Sequence, residues 1–344
     1  MSDKKYGKSF GDLNSLKANF FNNNDGMLKM ADGMADVLNS QPVRTTCKVC
    51  GSTLKEAIVH SHNIDYVVCD KCGHLNSLHE DTDDFASKVY IEDDYSKNYS
   101  SKDRSEYDKR MNLIYVPKAE FLRDSLKKDG VENVKILDIG AGCGYFVAAT
   151  RKIGMESTGV EVSANQVNYG NSMMDAAEGE EYLTCVGLHD SIDYIKNTDA
   201  NVVSAIGVLE HLINLRENLD AIKENENIKY LYASVPMFSF SCAFEAAFQD
   251  CYNRHMGGTH THLFTNESIQ KMADSIGFEV AYEWRFGSDI NDLYRFLTVS
   301  LQKNGNEEFA RVFADKFTPL MDKLQLVLDE SEFSSELHFI LKRK

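Results

Sequence analysis

Residues 134–146, VKILDIGAGCGYF, decide how the rest of the chain is read. An apolar strand runs into Asp138, glycines follow at alternate positions (Gly140, Gly142, Gly144), and a helical segment begins at Tyr145. Glycines in such a turn let the backbone fold tightly beneath a ligand that approaches within contact distance. A nicotinamide or flavin site uses GxGxxG, and the third glycine of that register would fall on Tyr145. The spacing is GxGxG instead. Downstream, the strand-like runs ESTGVEV, EYLTCVG, NVVSAIG, IKYLYASVP and FEVAYEW alternate with helical stretches such as SANQVNYGNSMMDAAE and ENLDAIKENEN. SSELHFILKRK adds one more strand after helical material from about 288 to 330. Such alternation implies parallel strands with helical crossovers, hence a doubly wound, Rossmann-like α/β sheet.

The GxGxG spacing, with an acid two residues before its first glycine, resembles motif I of class I S-adenosylmethionine (SAM) methyltransferases. In that family the loop lies under the methionine part of SAM and the preceding acid serves the amino group, which implies that role for Asp138. A second acid, at the end of the next strand, binds the ribose hydroxyls, and Glu161 in TGVEVS holds that position. For the adenine, GLHDSI offers His189 and Asp190 after the third strand. The plain alternative is a strand-turn-helix with incidental glycines.

The fourth strand ends in AIGVLEHL, residues 205–212, where an apolar run stops at Glu210 and His211. A helix N-terminus would account for the pair in bland terms, because Glu in a first turn suits the helix dipole. Ligands of open α/β sheets, however, bind at the carboxyl ends of the strands, so both side chains are expected to face the site. Many class I methyltransferases carry a similar LEH here. In ubiquinone-pathway and small-RNA relatives the motif is ExxEH with a divalent metal implied, and this chain has Gly207 in place of the first acid. A histidine cluster follows the fifth strand in RHMGGTHTHLFTNES, with His255, His260 and His262. His211 as general base, with Glu210 orienting the ring or facing the substrate and His260 or His262 shaping the pocket, is the first reading. A metal held by Glu210, His211 and His260 is the second, and satisfied polar residues without chemistry are the third.

Upstream, CKVCG and CDKCGH place Cys47, Cys50, Cys69 and Cys72 in two CxxC pairs, each followed by Gly, with eighteen residues between Cys50 and Cys69. Two thiolates at i and i+3 on a tight turn face one ion, and two such turns complete a tetrahedral sulfur site for structural zinc. His60, His62 and His74 are expected at the surface. Residues 1–43 are soft, with a helical stripe of Met27, Met30, Ala31, Met34, Val37 and Leu38 that suits packing on the body or on a second copy in a homodimer. Residues 77–130 form an acidic, tyrosine-rich connector and a helix from about 107 to 128, and residues 131–344 form the SAM-binding domain with a helical C-terminal insertion. Ribbon, connector and SAM domain in this order resemble sugar C-methyltransferases acting on nucleotide-linked deoxysugars. That resemblance covers residues 44 to about 285 and implies that Tyr95 or Tyr99 closes over SAM; those enzymes carry a further α/β domain for which only about sixty residues remain here.

The 344 residues carry a net charge of −16, which disfavours duplex DNA, RNA and anionic membrane as partners. A zinc-ribbon nucleic-acid binder with a degenerate SAM fold is the rival reading. No stretch reaches the roughly 18 to 20 apolar residues of a membrane span, and the start lacks a secretory segment, so the expectation is a cytoplasmic enzyme with a small-molecule acceptor.

Overall fold

A computed structural model of the protein describes residues 2–8, 23–92, 103–174, 180–257 and 259–344. Tyr95 and Tyr99 lie outside the described residues. The strands are β1 (Asp3–Tyr6), β2 (Val59–Ser61), β3 (Ile64–Val68), β4 (Leu75–Ser77), β5 (Lys135–Ile139), β6 (Glu156–Glu161), β7 (Leu183–Cys185), β8 (Val202–Ile206), β9 (Tyr230–Pro236), β10 (His262–Leu263), β11 (Phe278–Phe286) and β12 (Glu336–Arg343).

Eight of them form one sheet in the order β1-β11-β12-β9-β8-β5-β6-β7. From β5 the chain winds outward through β6 to β7, then returns to the other side of β5 to build β8 and β9, all by parallel pairing. The order therefore reverses between β5 and β8, and a crevice opens at their carboxyl ends. The sheet is covered on both faces, which explains why the central strands read as nearly continuous apolar runs: all seven residues of β9 are buried. β12 enters antiparallel between β9 and β11 and pairs Glu336 with Pro236. Its first residue thus lies at the same edge as the last residue of β9. β1 pairs in parallel with β11 and has no counterpart in the sequence reading. Its DKKY is short, polar and half-exposed, the character of a protected edge strand rather than of a core strand.

The second sheet has the order β10-β4-β3-β2 and carries the cysteine unit. Its β10 strand comes from the distant segment 262–263 and pairs with β4 through His262 and Asn76. Helix Asn24–Asn39 buries Ala31, Met34, Ala35 and Leu38, and its Ala35 and Leu38 pack with Ile64, Tyr66 and Leu75 of this sheet, so the stripe covers the body of the same chain. Phe85 and Val89 join that cluster, so the first part of the connector packs rather than merely links.

Two expected surface histidines are interior. His62 Nε2 meets the Cys251 carbonyl at 2.7 Å, and His74 Nε2 meets His262 Nδ1 at 2.8 Å, both rings buried. Their partners lie nearly two hundred residues away, where no local pattern could show them. His60 is exposed beside Asp65. Among the described residues no helix is long and apolar enough to cross a membrane.

Candidate active site

Two adjoining cavities, about 360 and 250 Å³, open at the β5/β8 crevice and share Gly140, Gly142, Gln166, Gly207 and His211 in their walls. The strand β5 delivers Asp138 to the first, and the glycine turn forms the floor of both. Gly140 has φ +63, and a Cβ there would lie 2.8 Å from the Val208 side chain, so only glycine closes this turn. Asp138 is buried and takes a 2.6 Å hydrogen bond from the Ser204 hydroxyl at one oxygen. Burial lifts its carboxyl to about 7, against the pull of Ser204.

Glu161, at the end of β6, lines the second cavity. Its two oxygens accept the backbone N–H groups of Gly142 at 2.9 Å and Ser163 at 3.0 Å, and burial raises its pKa. Each oxygen keeps a lone pair for a further donor, which fits a pair of ligand hydroxyls. Val162, Val186 and Leu188 supply an apolar wall beside it. His189 does not join that wall. Its ring is exposed and held by Asp83 at 2.9 Å and Asn214 at 3.1 Å, because the turn after β7 points it outward.

Glu210 and His211 sit in a short 3-10 turn, Leu209–His211, beyond β8. His211 Nδ1 is 3.0 Å from the Thr259 carbonyl oxygen and 3.1 Å from the Tyr90 hydroxyl. An acceptor at 3.0 Å requires the proton on Nδ1, so the lone pair is on Nε2. Burial lowers the His211 pKa to about 4, and the Thr259 carbonyl opposes the fall. Of the two roles the sequence offered Glu210, orienting the ring does not fit, because its Oε1 lies 3.7 Å from Nε2, beyond hydrogen-bonding distance, whereas the side chain does line the cavity. Its other oxygen is buried with no hydrogen-bond partner among the described residues, and burial lifts the carboxyl to about 8. His260 lines the same cavity, donates from Nδ1 to the His255 carbonyl at 2.9 Å, and lies tilted with its ring centre 5.2 Å from that of His211. Its pKa is driven well below the usual value by burial and then by His211.

His262 is not in the cavity. As a residue of β10 it points into the ribbon, fully buried against His74, and so shapes no substrate pocket. Sequence reading missed three lining residues: Tyr90, edge-on to His211 at 5.6 Å, and the pair Lys118 and Glu336, 3.5 Å apart. Only the alternation of SSELHFILKRK carried a trace of the last.

The four ribbon cysteines bring their sulfurs within 4.8 Å of one another, with Cys47 to Cys72 at 3.7 Å and Cys50 to Cys69 at 3.6 Å. Tetrahedral zinc with sulfur at 2.3 Å requires edges of about 3.8 Å, so the set fits that ion. Gly51 and Gly73 close the two turns at φ +70 and +69, and each donates its N–H to the carbonyl of the first cysteine of its pair. Asn76 Nδ2 adds an N–H···S contact to Cys47 at 3.7 Å.

The family model described as a methyltransferase domain matches residues 107–283, more than half of the chain. The chain belongs to the class I SAM-dependent methyltransferases. The methyltransferase is also similar to the magnesium protoporphyrin IX methyltransferase of Synechocystis PCC 6803 (11% identity, 72% of this chain and 93% of that one, TM-score 0.43). Further similar structures are a SAM-dependent methyltransferase of Archaeoglobus fulgidus (18% identity, 65% and 94%, TM-score 0.39) and one of Geobacter sulfurreducens (13%, 66% and 91%, TM-score 0.39). No curated protein matches this methyltransferase.

Proposed function

We propose that this methyltransferase acts on a hydroxyl or activated carbon of a small-molecule acceptor, a sugar or nucleotide-linked sugar by its resemblance, with His211 as the proton acceptor. The observation that supports this most is the 3.0 Å contact between His211 Nδ1 and the Thr259 carbonyl, which favours the proton on Nδ1 and leaves Nε2 to accept one. Asp138 would hold the SAM amino group, Glu161 the ribose hydroxyls, and Gly140, Gly142 and Gly144 the backbone cradle. Bound SAM supplies a methyl group on a sulfonium, an electrophile that needs no further activation. What the chain adds is alignment, worth about 7 to 11 kcal/mol in favourable cases, and a proton acceptor in His211 that is neutral at pH 7 but made weaker by the burial that lowers its pKa to about 4. As the acceptor oxygen or carbon takes the methyl group, its proton would pass to His211 Nε2. Tyr90 and the Thr259 carbonyl enclose the other ring nitrogen, Nδ1. The residue blocks 1–43, 44–76, 77–130 and 131–344 serve as N-terminal cover, zinc ribbon, connector and catalytic domain.

A second reading assigns a divalent cation to the same corner. Glu210, His211 and His260 offer ligand atoms that lie within 4.8 Å of one another, and both imidazoles are anchored by Nδ1 to backbone carbonyls, as ligating histidines commonly are. Such an ion would polarise the acceptor oxygen. The two readings part in one experiment with His211→Ala and a chelator. A metal-free base predicts unchanged affinity for S-adenosylhomocysteine (SAH), a fall in turnover of about 10² or more, and chelator resistance of the unaltered enzyme. Chelator inhibition reversed by magnesium or manganese favours the ion, and near-normal turnover of His211→Ala contradicts the base.

A further inference from the structure

We propose that the acceptor carries an anionic group, a carboxylate or phosphate, and that Lys118 binds it at the β12 end of the larger cavity; this rests on the methyl-transfer reading above. Lys118 lines that cavity from helix Val116–Lys128, with its side chain nine-tenths buried. Its ammonium meets the Glu336 carboxylate at 3.5 Å and lies 5.4 Å from the Tyr115 ring centre. Three N–H donors with one distant carboxylate partner leave capacity for a ligand oxyanion.

Glu336 cannot simply swing to close that gap. Its Oε1 also accepts from His338 Nε2 at 2.9 Å, and His338 Nδ1 in turn takes the Tyr232 hydroxyl at 2.8 Å. This buried chain fixes the carboxylate where β12 begins. Charge at this end of the cavity is mixed: Glu210 feels both Glu336 and Lys118, Arg254 lines the same cavity, and Lys8 stands behind the pair, 5.0 Å from the Phe286 ring centre, its ammonium pushed down to about 8 by burial and by Lys118.

Position separates this spot from the cofactor side. Asp138 ends β5 and Glu161 ends β6, whereas Glu336 starts β12, and β9 and β8 stand between β12 and β5. Three strand spacings of about 4.8 Å put Glu336 roughly 14 Å from the β5 end, and β6 lies one spacing further. Lys118 itself lies 5.4 Å from the Tyr115 ring, which stacks 5.2 Å from Tyr145 beside the glycine turn, so the SAH arm of the test separates an acceptor anion, spanning from His211 to the β12 edge, from the cofactor carboxylate.

The test uses inorganic phosphate and, in a parallel arm, acetate, titrated into the full-length protein saturated with SAH. Phosphate should bind the SAH-loaded protein, Lys118→Met should weaken that binding about tenfold or more with SAH affinity unchanged, and Glu336→Gln should tighten it severalfold by removing a competing carboxylate. Acetate binding in place of phosphate would assign a carboxylate. SAH binding without either anion overturns the proposal alone, and so does a loss of SAH affinity in Lys118→Met, which would give Lys118 to the cofactor. Failure of the unaltered protein to bind SAH overturns the methyl-transfer reading with it. Should Lys118→Met not fold, the opposite sign expected of Glu336→Gln still decides.

Discussion

Asp138 is costly to the empty protein, and the SAM amino group it is proposed to hold would relieve that cost. Burial lifts its carboxyl to about 7 from an ordinary 3.8, so the stability it contributes to the empty fold is present at acid pH and is lost as pH rises through about 7. A ligand ammonium reverses the preference, because it favours the ionised form. Below pH 7 a proton must leave before the ammonium pairs, and affinity then falls by up to about tenfold per pH unit. SAH affinity measured by calorimetry should therefore weaken on going from pH 8 to pH 6, and the slope should flatten in Asp138→Asn. Equal slopes in the two proteins would remove Asp138 from the amino-group role. Glu161, raised in the same direction by burial, acts with the same sign.

At the scale of elements, the four-cysteine unit and the His211 corner are one construction. Lys48, between Cys47 and Cys50, forms an ion pair with Asp81; Arg44 binds the same carboxylate at 2.6 Å, and the Thr261 hydroxyl donates to it at 3.0 Å. Thr265 reaches the Cys72 carbonyl at 3.2 Å, and Ser77 N–H donates to the Thr261 carbonyl at 2.8 Å. The segment that carries Thr259 and His260 is thereby tied to the cysteine turns near both ends. Cys69→Ser should lower zinc content and speed amide exchange across residues 259–265, while SAH binding at the glycine turn survives. Exchange there that ignores zinc loss would show the two units to be independent. This coupling explains what the sequence withheld. CxxC spacing is a local signal and was legible, but β10 is two residues long and joins the ribbon across nearly two hundred residues. For the same reason His62 and His74 read as surface residues and are interior.

At the scale of the whole molecule, the β-α alternation made the sheet legible, and the glycine turn located the crevice, because both are statements about neighbours in sequence. The β12 end of the larger cavity was not legible. Tyr90, Lys118 and Glu336 come from the connector, the helix before β5 and the first residue of β12, and only the antiparallel insertion of β12 beside β9 brings the last to the cavity. The polar, four-residue β1 escaped notice because an edge strand needs no apolar pattern. The central claim is that the β5 and β6 ends form the cofactor site, and SAH titration of the unaltered protein and of Glu161→Ala tests it most directly. One SAH should bind per chain, and the variant should bind about tenfold to a hundredfold more weakly, since hydroxyls lose a charged acceptor worth roughly 1.5 to 3 kcal/mol. Equal affinities in the two proteins would contradict the assignment.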